Sequence, residues 1–312
     1  MRSINHQIFG FPEAKIHLES LCELKCDTSI NSSYFYGLSR FCQYIQGLFI
    51  VHICPKPNDG IVKLIEVQKN LKYFEWKDDF NGDFPREDPY EKILLALEKK
   101  ADNIDHLRIF FQYVDDFEHQ LLQKILPRFH KLKTLMIENE FRSFTDVHLN
   151  NLVYRDLETL NIEWNKQNVL SSIVENSGGR LKKILFRPNY MNLIVDANFY
   201  NNSLNYILLS NVYGDKASDE KVVDGGDELL KVLINSAPTN LKEIRFFKHF
   251  KFSLENLEEF LGNWKGCALT IFTSDSLYER EDYKKLIDKY KDDGVIKDFI
   301  YENYPIRINY IF

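Results

Sequence analysis

The residue types able to do covalent or metal chemistry are poorly spaced for it in this chain of 312 residues. Five cysteines stand at positions 22, 26, 42, 54 and 267. Cys22 and Cys26 are separated as two zinc ligands would be, but no His follows at a spacing that completes a finger. The expectation is no metal, and reduced thiols packed as small core hydrophobes. Histidine is the usual base near neutral pH. His106 and His119 lie near Asp105, Asp115 and Asp116 in sequence, and His249 follows a strand-like run. Sequence neighbours on alternating elements do not converge, so none of these is expected to act as a base. Gly-x-Ser-x-Gly, phosphate-loop and His-Glu-x-x-His motifs are missing. The paired glycines of Ser177-Gly178-Gly179-Arg180 fit a helix stop. Those of Asp224-Gly225-Gly226-Asp227 sit among acids that repel a phosphate. No carboxylate is marked by an apolar pocket that would shift its pKa. The reading is no enzyme and no cofactor.

The elements behind these residues repeat. The unit is Leu-x-x-Leu-x-Leu with apolar substitution, as in Leu21-x-x-Leu24-x-Cys26, Ile45-x-x-Leu48-x-Ile50 and Leu71-x-x-Phe74-x-Trp76. It returns at Ile104, Leu132, Leu157, Leu181, Leu204 and Leu241, with a degenerate tenth copy ending in Leu269-x-Ile271. Successive first positions lie 24, 26, 33, 28, 25, 24, 23 and 37 residues apart. Most of these spacings match leucine-rich repeats, and the long ones hold insertions. The fourth and sixth positions share one face of a strand, and the residue between them faces the other way. One repeat cannot bury its apolar side alone, so copies must stack.

Helical patterns separate the strands. Pro89–Lys100 begins with Pro and closes on Lys. Acids lead into His119–Leu126, with Pro127 beyond. Asp227 precedes an apolar run, Ser253 opens another, and Asp146–Val153 and Gln167–Glu175 read as shorter pieces. Lys77–Pro89 and Val212–Asp227 read as acidic surface insertions. Ser276–Asp293 reads as a polar helix capping the last repeat. The expected fold is α/β: a leucine-rich-repeat solenoid, or horseshoe, with parallel strands on the concave face and helices on the convex face. Its expected parts are an N-terminal remnant or cap over 1–17, about ten repeats over 18–275, and a capping helix and tail over 276–312.

Stacking in register turns the outward residues into ladders. The central ladder carries Lys25, Phe49, Glu75, Arg108, Met136, Asn161, Leu185, Leu208 and Arg245. The ladder before it carries Tyr73, His106 and Tyr206, and the one after it Phe110, Glu138, Glu163, Arg187 and Phe247. Aromatic, Met and Arg side chains are the types enriched at interface anchors. Phe49, Tyr73, Phe110, Met136, Tyr206 and Phe247 together would expose more apolar surface than a monomer leaves in water. A protein target on the concave face is therefore expected. Glu75 beside Arg108, and Glu163 beside Arg187, are placed to pair.

Composition narrows the partners. Lys plus Arg is 40 and Asp plus Glu 46, for a net charge of −6, which argues against nucleic acid. No run approaches a bilayer-spanning length. The N-terminus lacks an apolar h-region and the C-terminus a lipidation box, so the expected location is the cytoplasm or nucleus.

The runs Leu18-Glu19-Ser20-Leu21-Cys22-Glu23-Leu24-Lys25-Cys26-Asp27-Thr28-Ser29-Ile30 and Leu126-Pro127-x-x-x-x-Leu132-Lys133-x-Leu135 resemble the repeat region of fungal F-box/leucine-rich-repeat proteins, which have a ribonuclease-inhibitor-like solenoid. The resemblance implies a substrate-recognition receptor for an SCF-type ubiquitin ligase, whose F-box docks the adaptor while the repeats select the target. Met1–Ile16, ahead of the first repeat, are too few to build an F-box, so this chain is expected to lack one. A freestanding intracellular scaffold or sensor, unconnected to ubiquitin, is the other reading the residues leave open.

Overall fold

The structure is a computed structural model. It describes residues 12–54, 56–79, 87–112, 120–137, 153–163, 176–177, 179–187, 204–210, 226–227, 229–231, 233–234, 239–247 and 250–301. The chain divides into two compact units, Met1–Tyr154 and Arg155–Phe312.

The first unit alternates helix and strand from α1 (Pro12–Glu19), β1 (Glu23–Asp27), α2 (Ser32–Phe41) and β2 (Gly47–His52) onward. It continues through α3 (Asp59–Val67), β3 (Tyr73–Asp78), α4 (Glu91–Glu98), β4 (His106–Phe110), α5 (Gln120–Ile125) and β5 (Thr134–Ile137). Every strand pairs in parallel with the next, in chain order. The register is the one the repeat demands: Leu48, Phe74, Leu107 and Leu135 stand opposite one another, as do Ile50, Trp76, Ile109 and Ile137. These eight side chains are buried. The first apolar position, Ile45, Leu71, Ile104 or Leu132, is fully buried on the turn leading into each strand. Burying such a side chain stabilises by about 1.5–3 kcal/mol, and each layer needs its neighbour to do so. In the first repeat, Leu21, Leu24 and Cys26 stay half-buried, because among the described residues one neighbouring strand, β2, pairs with β1.

The second unit repeats the pattern with β6 (Thr159–Glu163), β7 (Lys183–Arg187), β8 (Tyr206–Ser210), β9 (Glu243–Phe247), α6 (Leu254–Asn263), β10 (Leu269–Thr273), α7 (Glu281–Asp292) and β11 (Ile296–Tyr301). All six strands pair in parallel and in order. The chain is an α/β leucine-rich-repeat solenoid.

Local chemistry explains the helix boundaries. Asn31, Asn58 and Ser253 cap α2, α3 and α6 by accepting from the backbone N–H groups of Ser33, Ile61 and Asn256. Asp227 accepts from Ser253 N and from Asn256 Nδ2, pinning the α6 start. Buried Gln68 ties two helix ends together: its Nε2 donates to the Cys42 and Leu64 carbonyls while its Oε1 accepts from Ile45 N. This satisfies groups that a helix terminus otherwise leaves unpaired.

Several expectations change. Lys77 and Asp78 belong to β3, and Asp78, Pro89 and Tyr90 are buried, so the first insertion is anchored in the core at both ends. Ser276–Glu279 is a 3-10 turn ahead of α7, and the strand β11 beyond α7 pairs with β10. Ile296 and Phe299 sit opposite Leu269 and Ile271, so the repeat runs one strand further than the sequence pattern suggests. Cys22 and Cys267 are exposed rather than packed in the core, whereas Cys42 is buried. Residues 212–225 of the second insertion, the helix over Gln167–Glu175 and all but Val153 of Asp146–Val153 lie outside the described residues.

Candidate functional site

The outward face of the first unit holds the largest share of the expected recognition residues. Strand alternation sends Leu48, Ile50 and His52 inward and leaves Phe49 and Val51 facing out. The central ladder forms as the spacing requires, with Lys25 opposite Phe49, Phe49 opposite Glu75, Glu75 opposite Arg108 and Arg108 opposite Met136. Before it run Glu23, Gly47, Tyr73, His106 and Thr134, and after it Asp27, Val51, Lys77 and Phe110.

These side chains form a staircase of rings. The Lys25 ammonium lies 4.9 Å from the Phe49 ring centre. Phe49 and Tyr73 stack at 6.3 Å, and Tyr73 and His106 stack at 3.8 Å with planes 13° apart. Gly47 makes room for this: a Cβ there would lie 3.1 Å from the Phe49 ring. His106 Nδ1 is 2.9 Å from Thr134 Oγ1, and its Nε2 is 3.6 Å from Asp105 Oδ1. Partial burial, helped by the nearby Asp105 carboxylate, raises the Tyr73 phenol above its usual range. Arg108 reaches to 3.7 Å from Glu75, the pair expected from the ladder. Each aromatic pair contributes about 0.5–1.5 kcal/mol beyond its buried area, which holds the rings in place. Tyr73 is 44% exposed and Val51 37%, so both side chains face solvent.

Other members are placed differently. Met136 is 5% exposed and Tyr206 7%, so the expectation that they add open apolar surface is corrected. In the second unit Asn161, Leu185 and Leu208 also stand opposite one another on the outward ladder, yet are buried. Lys183 Nζ lies 5.8 Å and the Arg245 guanidinium 5.9 Å from the Tyr206 ring. Arg245 is 3.8 Å above the ring of Phe272 and donates through Nε to Glu243 at 2.6 Å. Phe272 and, beyond it on β11, Ile300 (37% exposed) extend this ladder; sequence reasoning missed both because the repeat pattern degenerates there. Glu163 stands opposite Arg187 and Ser210 opposite Phe247 in register, while Glu138 lies outside the described residues.

A buried polar node on the core side was also missed. Asp78 accepts from Trp76 Nε1 at 2.8 Å, Tyr90 OH at 2.5 Å and the Gln112 backbone N–H at 2.7 Å. Its Oδ1 is 3.0 Å from His52 Nδ1. The sequence signal was parity, since His52 and Asp78 follow Leu48/Ile50 and Phe74/Trp76 at the inward spacing of two. His52 and Asp78 are each 1% exposed, so no substrate reaches them, and the node joins β2, β3, α4 and the segment after β4. Among the described residues no three His, Cys, Asp or Glu side chains converge as metal ligands, and no helix is long and apolar enough to cross a membrane.

No protein-family model and no curated protein matches the chain. Solved structures do. A chain of the yeast Rad7–Elc1 complex is similar over 94% of this chain and 76% of its own, at 12% identity and a TM-score of 0.53. A Bacteroides fragilis protein and a Leptospira interrogans LRR protein, each 13% identical with a TM-score of 0.34, align over 84% and 85% of this chain and 67% and 74% of their own. Ladder, register and the first of these likenesses define the class of fold, the leucine-rich repeat.

Proposed function

We propose that the protein is a target-recognition module whose strand face holds another protein, acting as an F-box/leucine-rich-repeat-like receptor within an SCF-type ubiquitin ligase. The observation that carries the binding role is the preformed staircase Phe49–Tyr73–His106, flanked by the Glu75–Arg108 pair and edged by exposed Val51. Rigid aromatic and Arg side chains lose little entropy on binding, which suits them as anchors. The ligase link is supported by the resemblance of the repeats and by the likeness to a chain crystallised in the Rad7–Elc1 complex. Binding needs no catalytic group, and the reading is recognition without catalysis, in the cytoplasm or nucleus. Nucleic acid and membrane are not the proposed partners.

Co-purification from the native cell tests this directly. The wild-type chain should recover a stable protein partner together with the SCF adaptor. Arg108→Glu combined with Phe110→Asp should abolish partner capture and leave the circular dichroism spectrum unchanged. Retained capture would move the interface off this face, and a partner recovered without the adaptor would turn the reading to a scaffold unconnected to ubiquitin.

A further inference from the structure

Exposed cations gather at one end of the first unit, which marks a second surface beside the ladder face. At the edge where strands begin, the connecting segments 68–72, 99–105 and 128–133 carry Lys69, Lys72, Lys99, Arg128, Lys131 and Lys133, all exposed, together with half-buried Lys100. The acids in those segments are Asp102 and Asp105. At the opposite edge stand Asp59, Asp79, Glu87, Asp88 and Glu91, with Lys56, Lys77 and Lys92 among them. The cations follow the ends of α3, α4 and α5 in the chain, while Glu66 and Glu98 stand in the last turns of α3 and α4. In a chain of net charge −6, this edge is a local reversal of sign.

Part of that positive charge is already used. Lys99 pairs with Glu66 at 2.8 Å and Arg128 with Glu98 at 3.0 Å, while Lys100 donates to the Gln68 carbonyl. Lys72, Lys131 and Lys133 have no ion pair or side-chain hydrogen bond among the described residues. Backbone bonds set two of them on one ladder: Asp105 N donates to Lys72 O at 3.0 Å, and Lys133 N donates to Asp105 O at 2.7 Å. Lys72 and Lys133 are therefore two rungs apart, roughly 10 Å. Asp105 stands between them, with Oδ1 set 3.6 Å from the His106 ring. Tyr44, 54% exposed, extends the strip, with Lys69 Nζ 5.0 Å from its ring centre and within hydrogen-bond reach of its hydroxyl.

We infer that this edge docks an acidic polypeptide segment. An extended chain advances roughly 10 Å in three residues, so acids three apart reach Lys72 and Lys133 together while Lys131 and Lys69 add to the attraction. Such contacts act through steering and orientation more than raw affinity, and they weaken as salt screens them. The edge adjoins the ring staircase at Asp105 and His106, but Lys72 and Lys133 are outside the rings and the Glu75–Arg108 pair, so substitutions there test this inference apart from the proposed function.

The test uses the full chain and a fluorescein-labelled octaglutamate peptide, read by fluorescence anisotropy, beside octalysine and an oligothymidylate of equal length. Octaglutamate should bind at low ionic strength, weaken about tenfold or more as salt rises to physiological strength, and lose about tenfold in affinity in Lys72→Glu/Lys133→Glu. Lys72→Gln/Lys133→Gln should show a smaller loss in the same direction, and Lys56→Glu at the other edge no loss. Binding unchanged by the double reversal, no octaglutamate binding, or oligothymidylate bound as tightly as octaglutamate would each overturn the inference. The last outcome would mean a general polyanion surface.

Discussion

Asp78 shows how a single charged residue comes to be tolerated in a stacked apolar core. Its two oxygens meet an indole N–H, a phenol, a backbone amide and the His52 ring, so burial leaves no lone pair facing hydrocarbon. Asp78→Ala strands those groups together, and equilibrium urea unfolding should show a loss of about 3 kcal/mol or more. A loss below about 1 kcal/mol would mean that water replaces the carboxylate. The cysteines differ in the same residue-level way. Burial, with Asp27 beside it, pushes the Cys26 thiol up to about 12, and burial pushes Cys42 up to about 11. A folded state that holds the proton longer than the unfolded chain keeps this contribution below the ordinary thiol range and loses it as pH climbs towards those values. At pH 8, iodoacetamide should modify exposed Cys22 and Cys267 well before Cys26 and Cys42, as read by mass spectrometry of timed digests. Equal rates would contradict the burial.

Helix-to-helix spacing depends on Gly60, near the start of α3. A Cβ there would fall 2.2 Å from the Ser32 carbonyl oxygen, backbone that a rotamer change cannot move aside. Gly60→Ala should therefore separate α2 from α3 and lower stability by about 1–3 kcal/mol, despite alanine's better helix propensity. A thermal melt showing a rise would mean that the helices part without strain. The ion pairs between neighbouring helices, Lys92–Asp59 and Lys99–Glu66, leave their lysines in solvent that screens them, so the apolar faces and not these pairs hold the helices in line. Gln68 does more, because its three bonds close the ends of two helices that would otherwise bury unpaired carbonyls.

Within each unit of the molecule, stability is nearest-neighbour in character, since among the described residues each strand pairs with those before and after it. Leu135 sits fully buried opposite Leu107. Leu135→Asp places an unpaired charge in that layer and should abolish amide protection in β4 and β5 first, read by hydrogen exchange. Protection kept there while distant strands open would show that folding is not propagated layer by layer.

The period of about 25 residues, and within it the spacing of two between inward apolar side chains, made the parallel ladders, their register and the helix–strand alternation legible from the sequence. That follows because every repeat poses the same packing problem to its neighbour and accepts the same solution. Individual exposures on the outward face were not legible. Met136, Leu185 and Tyr206 obey the outward parity and are nonetheless buried, because parity sets direction while coverage depends on what else packs there. The Asp78 node, the continuation into β11 and the exposure of Cys22 and Cys267 likewise had to come from three dimensions. Each depends on which distant group arrives at a position, and a one-dimensional period carries no information about that.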